Sequence, residues 1–126
     1  MKADFVYTGI RVRDLERSIA FYTKILNMQV IGRQKIKEAY GEVVSLQSKK
    51  GGPELELNFY EKGSKHDAPY KVGEGLDHLA FHVDNMDEAI REAESAGHPV
   101  VLEVKTDRSR WVYIQDPDGI YIELFS

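Results

Sequence analysis

The sequence contains itself twice. Residues 12–19 (VRDLERSI) lie over residues 83–90 (VDNMDEAI) without a gap, at an offset of 71 from 12 to 83. Farther along, 43–47 (VVSLQ) lie over 111–115 (WVYIQ), and 55–57 (LEL) over 122–124 (IEL). A repeat of this kind constrains the fold strongly, because one supersecondary unit has to serve in both places.

The pattern of each half identifies the unit. Residues 4–12 alternate as a strand, and Asp14 is placed to cap a helix over 15–27, with Leu15, Ile19, Tyr22 and Leu26 at helical spacing. Strand patterns follow at 28–35, 41–48 and 54–60. The breaker-rich stretch 61–75 (EKGSKHDAPYKVGEG) reads as a linker. The order then returns: a strand at 77–83, then a helix over 86–96 opened by Asn85 with Glu88 and closed by Gly97. Strands follow at 99–104, 110–115 and 119–126, the last two joined by an Asp-Pro-Asp-Gly turn. The expected fold is α+β, one domain over 1–126. Two βαβββ repeats, about 4–60 and 76–126, would form a curved mixed sheet or partly open barrel with the helices outside.

Composition narrows what such a fold can do. With 42% hydrophobic and 30% charged residues, the 126-residue chain is of the soluble globular class. The absence of cysteine excludes disulfides, thiolate metal sites, iron–sulfur clusters and a cysteine nucleophile. A formal charge of −4 argues against nucleic acid as the partner, and no glycine-rich phosphate cradle is present. No apolar run approaches bilayer length and no charged-then-apolar leader is legible, so no membrane partner is expected and the cytoplasm is the expected compartment.

The chemistry gathers around His78, in the strand GLDHLAFHV. By itself a histidine on a half-buried strand is more often structural than functional. The repeat changes its neighbours. The offset places Tyr7 at the equivalent position, and Glu56 and Glu123 match each other on the last strand of each half. Alternation turns both glutamates away from the aliphatic face, so Tyr7, Arg11, Glu56, His78, His82, Trp111, Tyr113 and Glu123 would line one concave polar surface. Two carboxylates and an imidazole in a semi-enclosed site call for a positive charge among them, and a divalent cation supplies it. Oxygen-rich ligation with one imidazole suits octahedral Ni, Co, Mn, Fe or Zn. For any single glutamate, a solvated outward position is the competing reading. His82 reads as a neighbour or surface residue, and His66 and His98 as solvated.

The stretches YTGIRVRDLERSIAFYTKILNMQV, GLDHLAFHVDNMDEAI and IQDPDGIYIELF resemble the vicinal oxygen chelate superfamily over essentially the whole chain. That group includes glyoxalase I, bleomycin-resistance proteins and extradiol dioxygenases. LELNFYEKG and Glu56 look most like glyoxalase I, which isomerises the hemithioacetal of methylglyoxal and glutathione to a thioester. The resemblance implies Glu56, His78 and Glu123 as metal ligands. Tyr7 departs from the histidine or glutamine that the group carries there, and because a neutral phenol is a poor ligand it is expected to reach the ion only through a water. It implies Glu123, or Glu56, as the base moving a proton between adjacent carbons, with a metal-stabilised enediolate between. Arg11 matches an arginine that contacts the glutathione carboxylate. Asn58, Tyr60, Trp111 and Tyr113 are the other expected substrate contacts, and Arg108 and Arg110 stand near an expected lysine. The resemblance further implies a small-molecule substrate, a thiol cosubstrate such as glutathione, and a homodimer whose site draws on one or both subunits. The alternative is a metal-free protein of the bleomycin-resistance type that captures an aromatic or cationic ligand between Trp111, Tyr113, Tyr60 and Tyr7.

Overall fold

Asp14 and Asn85 open the two helices in the same way. Their backbones are extended, with φ/ψ of −135/104 and −136/103, and each side chain accepts from the N–H three residues on, Arg17 N at 3.0 Å and Glu88 N at 3.1 Å. The computed structural model describes every residue except 3–5, 38–39, 65, 75, 77 and 109. Asp4 and Phe5 of the first expected strand, Asp77 of the fifth, and Lys65 and Gly75 of the expected linker thus lie outside the described residues.

The order is β1 (Tyr7–Arg11), α1 (Leu15–Lys24), β2 (Gln29–Ile36), β3 (Gly41–Gln47), β4 (Glu54–Tyr60), then β5 (His78–His82), α2 (Met86–Ser95), β6 (Leu102–Lys105), β7 (Arg110–Gln115) and β8 (Tyr121–Phe125). The strands form two mixed sheets, β1-β4-β3-β2 and β5-β8-β7-β6. In each, the first strand runs parallel to the last and the remaining pairs are antiparallel. The chain divides into two compact units, Met1–Tyr70 and Lys71–Ser126, one βαβββ repeat in each. The α+β class and the repeat are those expected, with neither sheet closing into a barrel.

Alternation places the cores. In the first unit Val44, Leu46, Leu57 and Tyr22 are fully buried, and in the second Val112, Ile114 and Ile122 are. Helix α1 packs on β4 and buries Leu15, Ser18, Phe21 and Tyr22, a stripe turned slightly from the one expected, since Ile19 is only partly covered. The helix also ends at Lys24, short of 27. Asn27 takes a left-handed φ of 53°, and Met28 N–H reaches back to Tyr22 O at 3.0 Å, which stops the helical ladder. No helix among the described residues is long and apolar enough to cross a membrane.

The 116–119 turn is built around a buried carboxylate. Asp116 Oδ1 accepts from Asp118 N and Ile120 N, both at 2.8 Å, while Gly119 supplies the left-handed φ of 86°. Asp116→Ala leaves two N–H groups without that acceptor and is expected to cost about 1–3 kcal/mol. Asp116→Asn keeps the oxygen and should recover most of it in urea titrations; equal losses in the two variants would contradict this account.

An arginine bracket recurs with its polarity exchanged. In the first unit Arg33 of β2 donates to Glu42 of β3 (Nε to Oε1, 2.6 Å) and to Glu16 in the first turn of α1. In the second, Arg110 of β7 donates to Glu103 of β6 at 2.7 Å and to Asp87 in the first turn of α2 at 2.6 Å. Glu16 and Asp87 are repeat-equivalent, but the arginine has moved to the neighbouring strand. Hydrogen bonds from the arginines hold the Glu42 and Asp87 carboxyls below the ordinary carboxylate range. The support they lend is present above that range and fades as pH falls through the lowered values.

Candidate active site

Strand register sets the surroundings of each glutamate. Glu56 on β4 has Gly9 of β1 on one side and Ser45 of β3 on the other. Glu123 on β8 has Ala80 of β5 and Tyr113 of β7. Both glutamates lie between small residues of the parallel neighbour and polar residues of the antiparallel one, and both are partly covered. Two residues before Gly9 comes Tyr7, and two before Ala80 comes His78, so each half presents a glutamate and a ring on one sheet face.

The second unit holds the tighter arrangement. Tyr113 O–H donates to Glu123 Oε2 at 2.7 Å, and His78 Nε2 stands 3.4 Å from the same oxygen. The His78 and Tyr113 rings meet edge to face, with centroids 5.7 Å apart. The Glu123 side chain is 20% exposed and that of His78 34%, covered enough to be held and open enough to reach a ligand. Two donors bound to one ion at about 2.1 Å and at right angles stand about 3 Å apart, so His78 and Glu123 suit neighbouring positions on a divalent ion.

In the first unit Tyr7 and Glu56 flank Gly9. A Cβ on Gly9 would lie 3.8 Å from Glu56 Oε1, 3.9 Å from the Tyr7 ring and 3.1 Å from Asn58 Nδ2. The missing side chain keeps that patch of sheet open. Asn58 Nδ2 lies 3.5 Å from Ile10 O and 3.4 Å from Glu56 O, so its amide faces backbone. Among the described residues, no three His, Asp or Glu side chains gather into a ready-made metal cage. Each half carries part of a donor set: Glu56 beside Tyr7 in the first unit, and His78 with Glu123 in the second.

The other expected residues separate. Arg11 lies over the Tyr70 ring and Tyr60 faces His66, both beyond the Glu56 end of the first sheet. Trp111 is half-buried on β7, opposite Phe125. His82 is exposed, 3.9 Å from Asp84 and edge-on to Phe125. Arg110 is engaged by Asp87 and Glu103. His98 is not simply solvated, since its Nδ1 lies 2.9 Å from Gln115 O. The bond from Tyr113 to Glu123 is the feature that sequence reading missed: alternation put Tyr113 on the right face, but only register sets it beside Glu123.

Paired βαβββ modules, each turning a strand glutamate and a neighbouring ring onto one sheet face, define a class of two-module α+β scaffolds whose chemistry is set by the site and not by the fold. The chain belongs to the Glyoxalase/Bleomycin resistance protein/Dioxygenase superfamily, whose family model matches residues 4–124. It is 35% identical over 123 residues to the lactoylglutathione lyase of Escherichia coli O157:H7, covering 94% of this chain and 89% of that protein. The trypanothione-dependent glyoxalase I of Leishmania major superposes with a TM-score of 0.83 at 29% identity, over 99% of this chain and 87% of that one. The fosfomycin resistance protein FosX from Listeria monocytogenes, at 18% identity, shares the fold with a TM-score of 0.75, over 99% of this chain and 94% of that one.

Proposed function

We propose that the chain is a metal-dependent glyoxalase I-like lyase, acting on the adduct of a small α-oxoaldehyde with a thiol. The observation that carries this reading is Glu123, held by Tyr113 and set against His78 on an open sheet face. The similarity to lactoylglutathione lyases supports it. Glu56, His78 and Glu123 would hold the divalent ion, Ni, Co, Zn, Mn or Fe, with Tyr7 reaching it through a water. Among the described residues neither unit alone gathers three such donors, and a homodimer is the assembly we propose for bringing them together.

The bound ion supplies Lewis acidity toward the substrate oxygens. Glu123 acts as the base: its carboxylate takes the proton from the carbon bearing sulfur and hydroxyl and returns it to the adjacent carbonyl carbon. The substrate passes through an enediolate; the hydroxyl proton of the first carbon passes to the oxygen of the second, so the first carbon ends as the thioester carbonyl and the second as a carbinol. Tyr113 holds the carboxylate in the orientation from which it can reach both carbons. Glu56 balances the charge from the other unit. Arg11 and Tyr60 are available to the far end of the substrate.

The test is thioester formation from methylglyoxal with a panel of thiols, glutathione among them, with and without Ni²⁺, Co²⁺ or Zn²⁺. Metal-dependent turnover with at least one thiol is expected. Failure of both turnover and metal uptake would sink the lyase reading and favour a metal-free binding protein.

A further inference from the structure

On the site face of the second sheet one phenol is engaged and another is not. Tyr113 O–H donates to Glu123 Oε2 at 2.7 Å. Tyr121 stands two residues before Glu123 on β8, roughly 7 Å away by strand rise and on the same face by alternation. Register sets it between His78 of β5 and Gln115 of β7. Its ring meets that of Tyr113 edge to face, with centroids 6.2 Å apart, as Tyr113 meets His78. Tyr121 is still 44% exposed, and none of the described residues hydrogen-bonds its hydroxyl.

In the first unit the same position is tied down. Glu54 is equivalent to Tyr121 at an offset of 67, and Gln47 to Gln115 at an offset of 68. Gln47 Nε2 donates to Gly52 O at 3.0 Å and to Glu54 Oε1 at 3.3 Å, so it holds its cross-strand neighbour. Gln115 Nε2 reaches Gly119 O at 3.4 Å, and Tyr121 has no such tether. Around Glu123, then, the Tyr113 proton serves the carboxylate, the Gln115 amide serves backbone, and His78 is the proposed metal donor. Tyr121 keeps an O–H to offer to a ligand. A phenol donates and accepts through one oxygen, so it can relay a proton as well as hold a hydrogen bond. The proposed reaction needs such a group. Glu123 moves a proton between carbons, while a second proton has to pass from the hydroxyl of the first carbon to the oxygen of the second.

We propose that Tyr121 is a further catalytic residue, whose hydroxyl contacts the two substrate oxygens and carries the proton between them. The proposal rests on the lyase reading. The phenol O–H gives its proton to the oxygen of the second carbon. Its own oxygen then takes the hydroxyl proton of the first carbon as the thioester carbonyl forms. Tyr121 ends as it began, and no oxidant or other co-reactant is consumed.

Tyr121→Phe in the metal-loaded protein tests this, because the ring and its contact with Tyr113 stay while the hydroxyl goes. Ni²⁺ affinity should match the parent within about twofold, while kcat for the methylglyoxal–thiol adduct falls by about tenfold or more. Acetohydroxamate, whose planar O–C–N–O group resembles an enediolate, gives a readout without turnover. The variant should bind it about tenfold more weakly, the usual contribution of a hydrogen bond to a charged group. Tyr40→Phe, at an exposed position outside the site, should match the parent throughout. Parental kcat in Tyr121→Phe overturns the proposal, and so does loss of Ni²⁺, which would make Tyr121 part of the metal site. A parent that binds Ni²⁺ and acetohydroxamate yet forms no thioester overturns the lyase reading and with it the proton relay. The hydroxyl contact then stands or falls on the acetohydroxamate comparison alone.

Discussion

His78→Ala is expected to abolish stoichiometric binding of the divalent ion, while Tyr7→Phe keeps it. His78 places an imidazole nitrogen 3.4 Å from Glu123 Oε2, and removing it takes away a direct donor. Losing only an outer partner of a metal ligand typically costs about 10–100-fold in affinity, so losing the ligand itself should exceed that. Tyr7 occupies the equivalent position on β1 but offers a phenol, a weaker ligand for a divalent ion than an imidazole or a carboxylate. Two glutamates already balance a dication, so a third anion adds less attraction and costs more desolvation. Tyr7→His, supplying a neutral imidazole in its place, should tighten binding. Titrations with Ni²⁺ or Co²⁺ decide between these accounts. Should Tyr7→Phe lose metal as completely as His78→Ala, tyrosinate is a ligand and the donor set proposed here is wrong.

Glu123→Gln should lower turnover by about 10²–10⁴-fold, the usual contribution of a positioned general base. Tyr113→Phe should have a smaller effect, because it removes the group that orients the carboxylate and leaves the carboxylate itself. A hydrogen bond to a charged group contributes about 1.5–3 kcal/mol, which corresponds to roughly 10–100-fold in rate if all of it serves the reaction. Both variants should be assayed at saturating metal with bound metal measured alongside, so that a lost ligand is not read as a lost base. If Glu123→Gln retains metal and turns over at the parental rate while Glu56→Gln does not, the two glutamates exchange roles.

The repeat was legible because identical local rules act in both halves. Capping by Asp14 and Asn85, the 116–119 turn and the strict alternation of β4 and β8 depend on residues near one another in sequence. The offset shortens from 71 at the first strand and helix to 68 and 67 at the later strands, and the two sheets still pair strand for strand. The boundaries that moved, such as the end of α1 at Lys24, turn on one left-handed residue and a backbone bond that periodicity does not encode.

The amino-acid sequence alone determined the two βαβββ modules and, within each, the sheet face taken by Glu56 in one and by His78 and Glu123 in the other, because side-chain direction along a strand has period two and needs no partner. Only the tertiary structure decided which groups meet on that face. Tyr113 reaches Glu123 because β7 and β8 align 113 with 123, and a slip of one residue would turn the hydroxyl away. The arginine and its strand carboxylate exchanged strands between the repeats, because a cross-strand ion pair can be made in either order beside the first turn of the helix. Lys62, His66 and Asp67, in a stretch that composition marks as breaker-rich, line a cationic cavity with Arg11 and Arg13, whose guanidinium groups lie over the Tyr70 ring. Contacts between residues distant in sequence depend on register and chain reversal, and local pattern carries neither.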